Sequence, residues 1–119
     1  MTEIYIKRVY EPTGNNDGFR ILVDRLWPRG INKEKANIDA WLKEVAPSAA
    51  LRKWFNHEPA KWKSFVEKYT DELKKSEAVN ELQNFIKKHK IITLLYAVHD
   101  EQHNNAVVLQ NFMQTNLDN

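Results

Sequence analysis

The spacing of apolar positions changes character several times along the chain. Ile4, Ile6 and Val9, with Tyr5 and Tyr10 set between charged residues, predict a first strand over residues 3–9. Pro12, Gly14, Asn15, Asn16, Asp17 and Gly18 form a dense turn cluster. Phe19–Asp24, a β-branched and aromatic run, predicts a second strand. In the following Arg25-Leu26-Trp27-Pro28-Arg29-Gly30, Pro28 pushes Trp27 into an extended conformation and Gly30 permits a turn, so this piece reads as loop.

Helical spacing takes over next. Asn32 suits a cap for Lys33–Ala36, and Ile38, Trp41, Leu42 and Val45 follow at i, i+3, i+4 and i+7, which predicts a helix. A short extended piece around Trp41 is the alternative. Ser48 is placed to cap a helix carrying Leu51, Trp54 and Phe55. Pro59 suits the first turn of another, along which Trp62, Phe65, Val66, Tyr69 and Leu73 form one stripe. Ser76 can cap a further helix through Val79, Leu82, Phe85 and Ile86, ending in cations that oppose the negative pole of its dipole. Trp41, Trp54 and Trp62, on these stripes, are expected in the core.

Ile91–Val98 is a continuous apolar run without alternation, as expected for a strand buried on both faces in a parallel sheet covered by helices. A polar loop from His99 leads to a last helix through Ala106–Met113, capped by Asn104 or Asn105. The predicted fold class is α/β: one domain over residues 1–119, a small, mainly parallel sheet of three or four strands, and about five helices.

Composition narrows the chemistry. The 119 residues include no cysteine, which excludes disulfides, thiolate metal sites and thiol catalysis. The eight-residue apolar run is far short of the ~20 residues that span a bilayer, and the N-terminus lacks a secretory pattern. A soluble, cytoplasmic protein with no membrane partner is the expectation. Net charge is only +2, yet all five arginines (Arg8, Arg20, Arg25, Arg29, Arg52) lie in the first 52 residues. Arginine presents a planar fork of donors that matches carboxylate and phosphate oxygens. The lysines of the second half, Lys61 to Lys90, interleave with Glu67, Asp71, Glu72, Glu77 and Glu81, which reads as a mixed solvated face and argues against nucleic acid.

In parallel sheets ligands bind beyond the carboxyl ends of the strands. The first strand delivers Arg8 there, the second Asp24, Arg25, Trp27 and Arg29, the last Asp100, His103, Asn104 and Asn105. The start of the last helix adds orphan N–H groups and a positive dipole end. The expected partner is therefore a small anionic or phosphate-bearing molecule, gripped by Arg8, Arg25, Arg29 and that helix, with Asp24 and His103 as acid–base candidates. Trp27 either packs under its loop or stacks on a planar ligand. Asp24 and an arginine could equally form a structural pair, and His103 could simply face solvent. The histidines and Asp100 lack metal-ligand spacing, no cofactor is specified, and homo-oligomerisation is left open.

Leu22–Gly30 (LVDRLWPRG), Ala46–Phe55 with its APS and LRKWF, and Thr93–Leu109 with its TLLYA and NNAVVL resemble the YeaO-like branch of the domain-of-unknown-function 488 family. KRVYEP near the start fits as well, so the resemblance runs over essentially the whole chain. It implies a small bacterial, cytoplasmic α/β protein without an assigned activity. Members of the broader family carry Cys-His-Arg where the last strand turns into its helix, and this branch carries Asn-His-Ala. Here those positions are Asn104, Asn105 and Ala106. The resemblance thus removes a cysteine nucleophile and leaves His103, one position earlier, to take the histidine's place only if the loop turns it inward.

Overall fold

The computed structural model describes residues 2–118. Four parallel strands, β1 (Glu3–Arg8), β2 (Phe19–Leu22), β3 (Ala40–Trp41) and β4 (Ile91–Tyr96), form one sheet in the order β1-β4-β2-β3. Four α-helices follow the chain as α1 (Ala49–Phe55), α2 (Trp62–Lys74), α3 (Ala78–Lys88) and α4 (Asn105–Asp118), one fewer than expected. The most apolar strand, β4, takes a central place, with Ile92 to Tyr96 buried.

Alternation along the strands sorts the two faces. Ile4, Ile21, Ile92, Leu94 and Tyr96 share one cluster with the apolar stripes of all four helices, Leu51, Phe65, Tyr69, Leu82 and Leu109 among them. The other face carries Val9, Leu22 and Leu95, packed by Trp27, Ile31, Ile38 and Ala97. Loops cover it, so the expected second helical layer is absent among the described residues.

Polar groups are buried there too. Arg20, 2% exposed, pairs through Nη1 with Asp17 and donates to the carbonyls of Asn37 (3.1 Å) and Ala36 (3.1 Å). Lys7 Nζ approaches Asp17 Oδ1 at 2.9 Å. Burial by itself would raise the Asp17 carboxyl, but the Gly14 N–H together with Lys7 and Arg20 outweighs it and holds the group below its ordinary value.

This cluster explains why no helix runs through Ile38–Val45. Asn32 caps one turn, its Oδ1 accepting from Glu34 N at 2.9 Å, and Asn37 then enters the left-handed region at φ 52. A helix would need the carbonyls of Ala36 and Asn37, which the Arg20 guanidinium holds instead. The open edge of β2 captures the next residues: Asp39 N donates to Arg20 O at 2.8 Å and Leu42 N to Leu22 O at 2.9 Å. The extended alternative is the observed one, followed by a 3-10 turn at Lys43–Val45. Trp41 and Trp54 are each 38% exposed rather than core, and Trp62 is half-buried against Phe55 and Phe65. Ser48 does cap α1, accepting from Leu51 N at 3.1 Å, and its own Oγ donates to Glu72 Oε2 at 2.6 Å.

Candidate functional site

Because every strand runs the same way, the ends of β1, β2 and β4 open onto one edge, where a cleft of about 830 Å3 lies. Asp24, Arg25, Trp27 and Arg29 line it from the second segment, and His103, Asn104 and Asn105 from the third. The two segments are bonded directly: Asp24 Oδ2 accepts from Ala97 N at 2.9 Å, and Asn105 Nδ2 donates to Val23 O at 2.9 Å and to Asp24 Oδ1 at 3.1 Å. Arg8 does not line the cleft. Its guanidinium is spent on the carbonyls of Val98 (2.9 Å) and Ala97 (3.0 Å), which fixes the turn leaving β4.

The remaining arginines divide by what they already hold. Arg25 donates to Pro47 O and Ala46 O, both at 3.2 Å, and stands 3.7 Å from Glu44, so it pins the segment before α1 while facing the cleft. The side chains of Arg29 and Arg52 make no hydrogen bond or ion pair among the described residues, and both line the cleft. Lys53 lines it too, against a single acid, Asp24. Phe55 and Phe65 supply an apolar wall.

Asp24 is half-buried at the floor of the cleft. Burial pushes its carboxyl above the usual range, partly offset by the Asn105 amide, the Ala97 N–H and the positive charge of Arg52. Both carboxylate oxygens already accept from protein donors, so the residue clasps the ends of β2 and β4 to the start of α4 and forms no ion pair with Arg25 or Arg29.

Asn104 is buried at 3% exposure and is the cap of α4, its Oδ1 accepting from Val107 N at 3.0 Å. Asn105 opens the helix. Trp27 packs against the Val9, Leu22 and Leu95 cluster and also lines the cleft: its Nε1 donates to Ile31 O at 3.0 Å and its ring meets Trp41 edge-on. His103 turns partly inward, edge-on to Trp62 at 5.2 Å. Its Nδ1 lies 2.9 Å from Asp100 Oδ2. Asp100, bound by the Gln102 N–H and by the His103 ring and N–H, is held below the usual carboxylate range. It lines a smaller adjoining cavity, with His57, His99 and His103, rather than the main cleft. No metal-holding group of three acids or histidines occurs among the described residues.

Residues 3–119 match the family model described as the inactive DUF488-N3 subclade. The chain belongs to that subclade. It is 43% identical over 112 residues to the uncharacterized protein YeaO of Escherichia coli, covering 94% of this chain and 97% of YeaO. Uncharacterized proteins of Mycobacterium bovis and Mycobacterium tuberculosis are each 38% identical over 108 residues, covering 91% of either chain. No solved structure matches it. No helix among the described residues is long and apolar enough to cross a membrane.

For this DUF488 chain, four polar cleft residues stand outside the group that the sequence singles out: Arg52, Lys53, Asn56 and His57. They come from α1 and the turn after it, on the crossover between β3 and β4. The clustering of arginines in the first 52 residues was the available signal for Arg52. Asn56 (φ 47) and His57 (φ 55) both occupy the left-handed region, a sharp turn that holds this wall of the cleft in place.

Proposed function

We propose that this protein binds a small anionic or phosphate-bearing molecule in the cleft at the carboxyl edge of its sheet, and does so without turning it over. The observation that carries the reading is the pair of cleft-lining guanidiniums, Arg29 and Arg52, with no acceptor of their own among the described residues. Forked cationic donors left open toward a cavity suit phosphate or carboxylate oxygens. Lys53 and the positive pole of α4 act in the same direction. Binding without chemistry accords with the description of the subclade as inactive and with Asn104, a buried cap, at the place of the broader family's cysteine. Nucleic acid is not the proposed partner, because acids interleave with the lysines of α2 and α3.

The test is thermal stabilisation by inorganic phosphate, pyrophosphate, phosphate monoesters and dicarboxylates, repeated on Arg29→Ala and Arg52→Ala. A bound anion raises the melting temperature by mass action. Losing one charge-assisted donor, ~1.5–3 kcal/mol, should weaken binding by roughly 10–150-fold. Absence of any shift across the series, or full shifts in both variants, refutes the proposal.

A second reading rests on the His103–Asp100 pair. With Nδ1 against the carboxylate at 2.9 Å, the other ring nitrogen is left to exchange a proton at the cleft. Turnover of a phosphate ester that His103→Ala abolishes, while leaving anion binding intact, would favour an enzyme.

A further inference from the structure

The strand β1 is an open edge whose pattern is self-complementary. Glu3 N donates to Lys90 O at 2.9 Å and Val9 N to Tyr96 O at 2.7 Å, so the odd-numbered residues turn their backbone groups toward β4. The even-numbered ones therefore point theirs outward. Among the described residues the N–H of Ile4 and both backbone groups of Ile6 have no partner, and Ile4 O meets only the Gln110 side chain at 2.7 Å. An unpaired row of this kind is a template for another strand.

The side chains indicate which strand. Read outward from Tyr5, the sequence Glu3-Ile4-Tyr5-Ile6-Lys7 places an acid and a base at equal distances on either side. We propose that β1 pairs antiparallel with β1 of a second copy about a two-fold axis at Tyr5, making one continuous sheet across a homodimer. In that register Tyr5 faces the other copy's Tyr5, Glu3 faces Lys7, and Ile4 faces Ile6. The outward backbone groups make each Ile4–Ile6 pair the hydrogen-bonded kind and the Tyr5 pair the close, non-bonded kind. Ile4 O keeps a second lone pair for the incoming N–H beside Gln110.

Charge and exposure agree with this register. Tyr5 is 46% exposed and Glu3 is exposed, on the sheet face away from the helices. Lys7 is held by Asp17 and Pro12 O, and because Arg20 pairs with the same carboxylate this corner keeps a net positive charge for the other copy's Glu3 to meet. Opposite charges directly across a pair stabilise it, and slipping the register by two residues loses both matches. The contact is small and mostly main-chain, so the equilibrium should lie in the micromolar range or weaker.

The chain lacks cysteine, which makes Tyr5→Cys a clean probe. Its thiols would meet at the two-fold, where directly opposed Cβ atoms lie about 4.5–5.5 Å apart. Under mild oxidation it should form a covalent dimer at least roughly tenfold faster than Lys63→Cys on exposed α2, because pairing raises the local thiol concentration. Sedimentation should show a concentration-dependent dimer of the wild type. Tyr5→Lys and Glu3→Lys, both at exposed positions, should return it to monomer with the melting temperature of dilute protein unchanged. A wild type monomeric at every concentration, equal cross-linking rates at the two sites, or a dimer that survives both lysine variants overturns the proposal.

Discussion

Replacing Arg20 by methionine removes a buried cation and keeps most of its apolar stem. The guanidinium is the buried partner of Asp17 and the donor to two backbone carbonyls that set the course of residues 36–41. Breaking a buried ion pair by deleting one member costs about 3–5 kcal/mol, because the other charge stays behind unpaired. Lys7, 2.9 Å from Asp17, remains to neutralise part of it, so the loss should fall at the lower end, about 3 kcal/mol. For a chain of this size that corresponds to a fall of roughly 10–15 °C in melting temperature. Urea denaturation at neutral pH measures it directly. The pH dependence supplies a second readout. Asp17 has a folded value below its unfolded 3.8, so its contribution is present above that value and is lost as pH falls through the folded one. With Arg20 gone the depression is smaller, and the acid-side loss of stability should shrink. A cost below about 1 kcal/mol, or an unchanged acid limb, would refute the reasoning, since it would mean that Lys7 and solvent suffice for Asp17.

Three further outcomes follow from the same geometry. Asn104→Ala should cost about 1–2 kcal/mol in thermal or urea melts through loss of the α4 cap, and Asn104→Asp should fail to restore it at neutral pH, because a buried carboxylate oxygen would face Asp100 O where Nδ2 now donates at 2.9 Å. Gly18→Ala should abolish folding as judged by expression and circular dichroism, because at φ +66 the new Cβ would sit 2.2 Å from Ile91 O; Gly30→Ala, with no atom within 4 Å, should cost only about 1 kcal/mol. Asp24 has the opposite sign to Asp17: its folded value is raised, so its stabilising contribution is present below 3.8 and lost as pH rises through the folded value, and Asp24→Asn should flatten that part of the stability profile measured by urea melts.

The strands at either end of the chain, the helices from Ser48 to Lys88 and the cap of α4 were legible because each depends on local rules. Period-two and period-3.6 spacing, a serine before a helix and an asparagine before the last one are read within a few residues of one another. The meeting of the second and third segments at one edge was legible as well, since it needs only that the strands be parallel. Residues 32–45 were not. Their helical spacing is genuine, but the carbonyls a helix would use are taken by Arg20, a residue on another element. Trp41 and Trp54 misled for a related reason: a stripe marks a side of a helix or strand, and only packing decides whether that side is covered.

The arginines show the same division at the cleft. That a chain with no cysteine and a cluster of forked donors in its first half should be an α/β protein with a polar sheet edge was fixed by composition and spacing alone. Which guanidiniums stay open was decided by the tertiary structure. Arg8, Arg20 and Arg25 found backbone carbonyls within about 3.2 Å, whereas Arg29 and Arg52 came to rest over a cavity. The physical reason is that a guanidinium's charge is a property of the residue, while its availability depends on acceptors that distant parts of the chain bring to it or withhold.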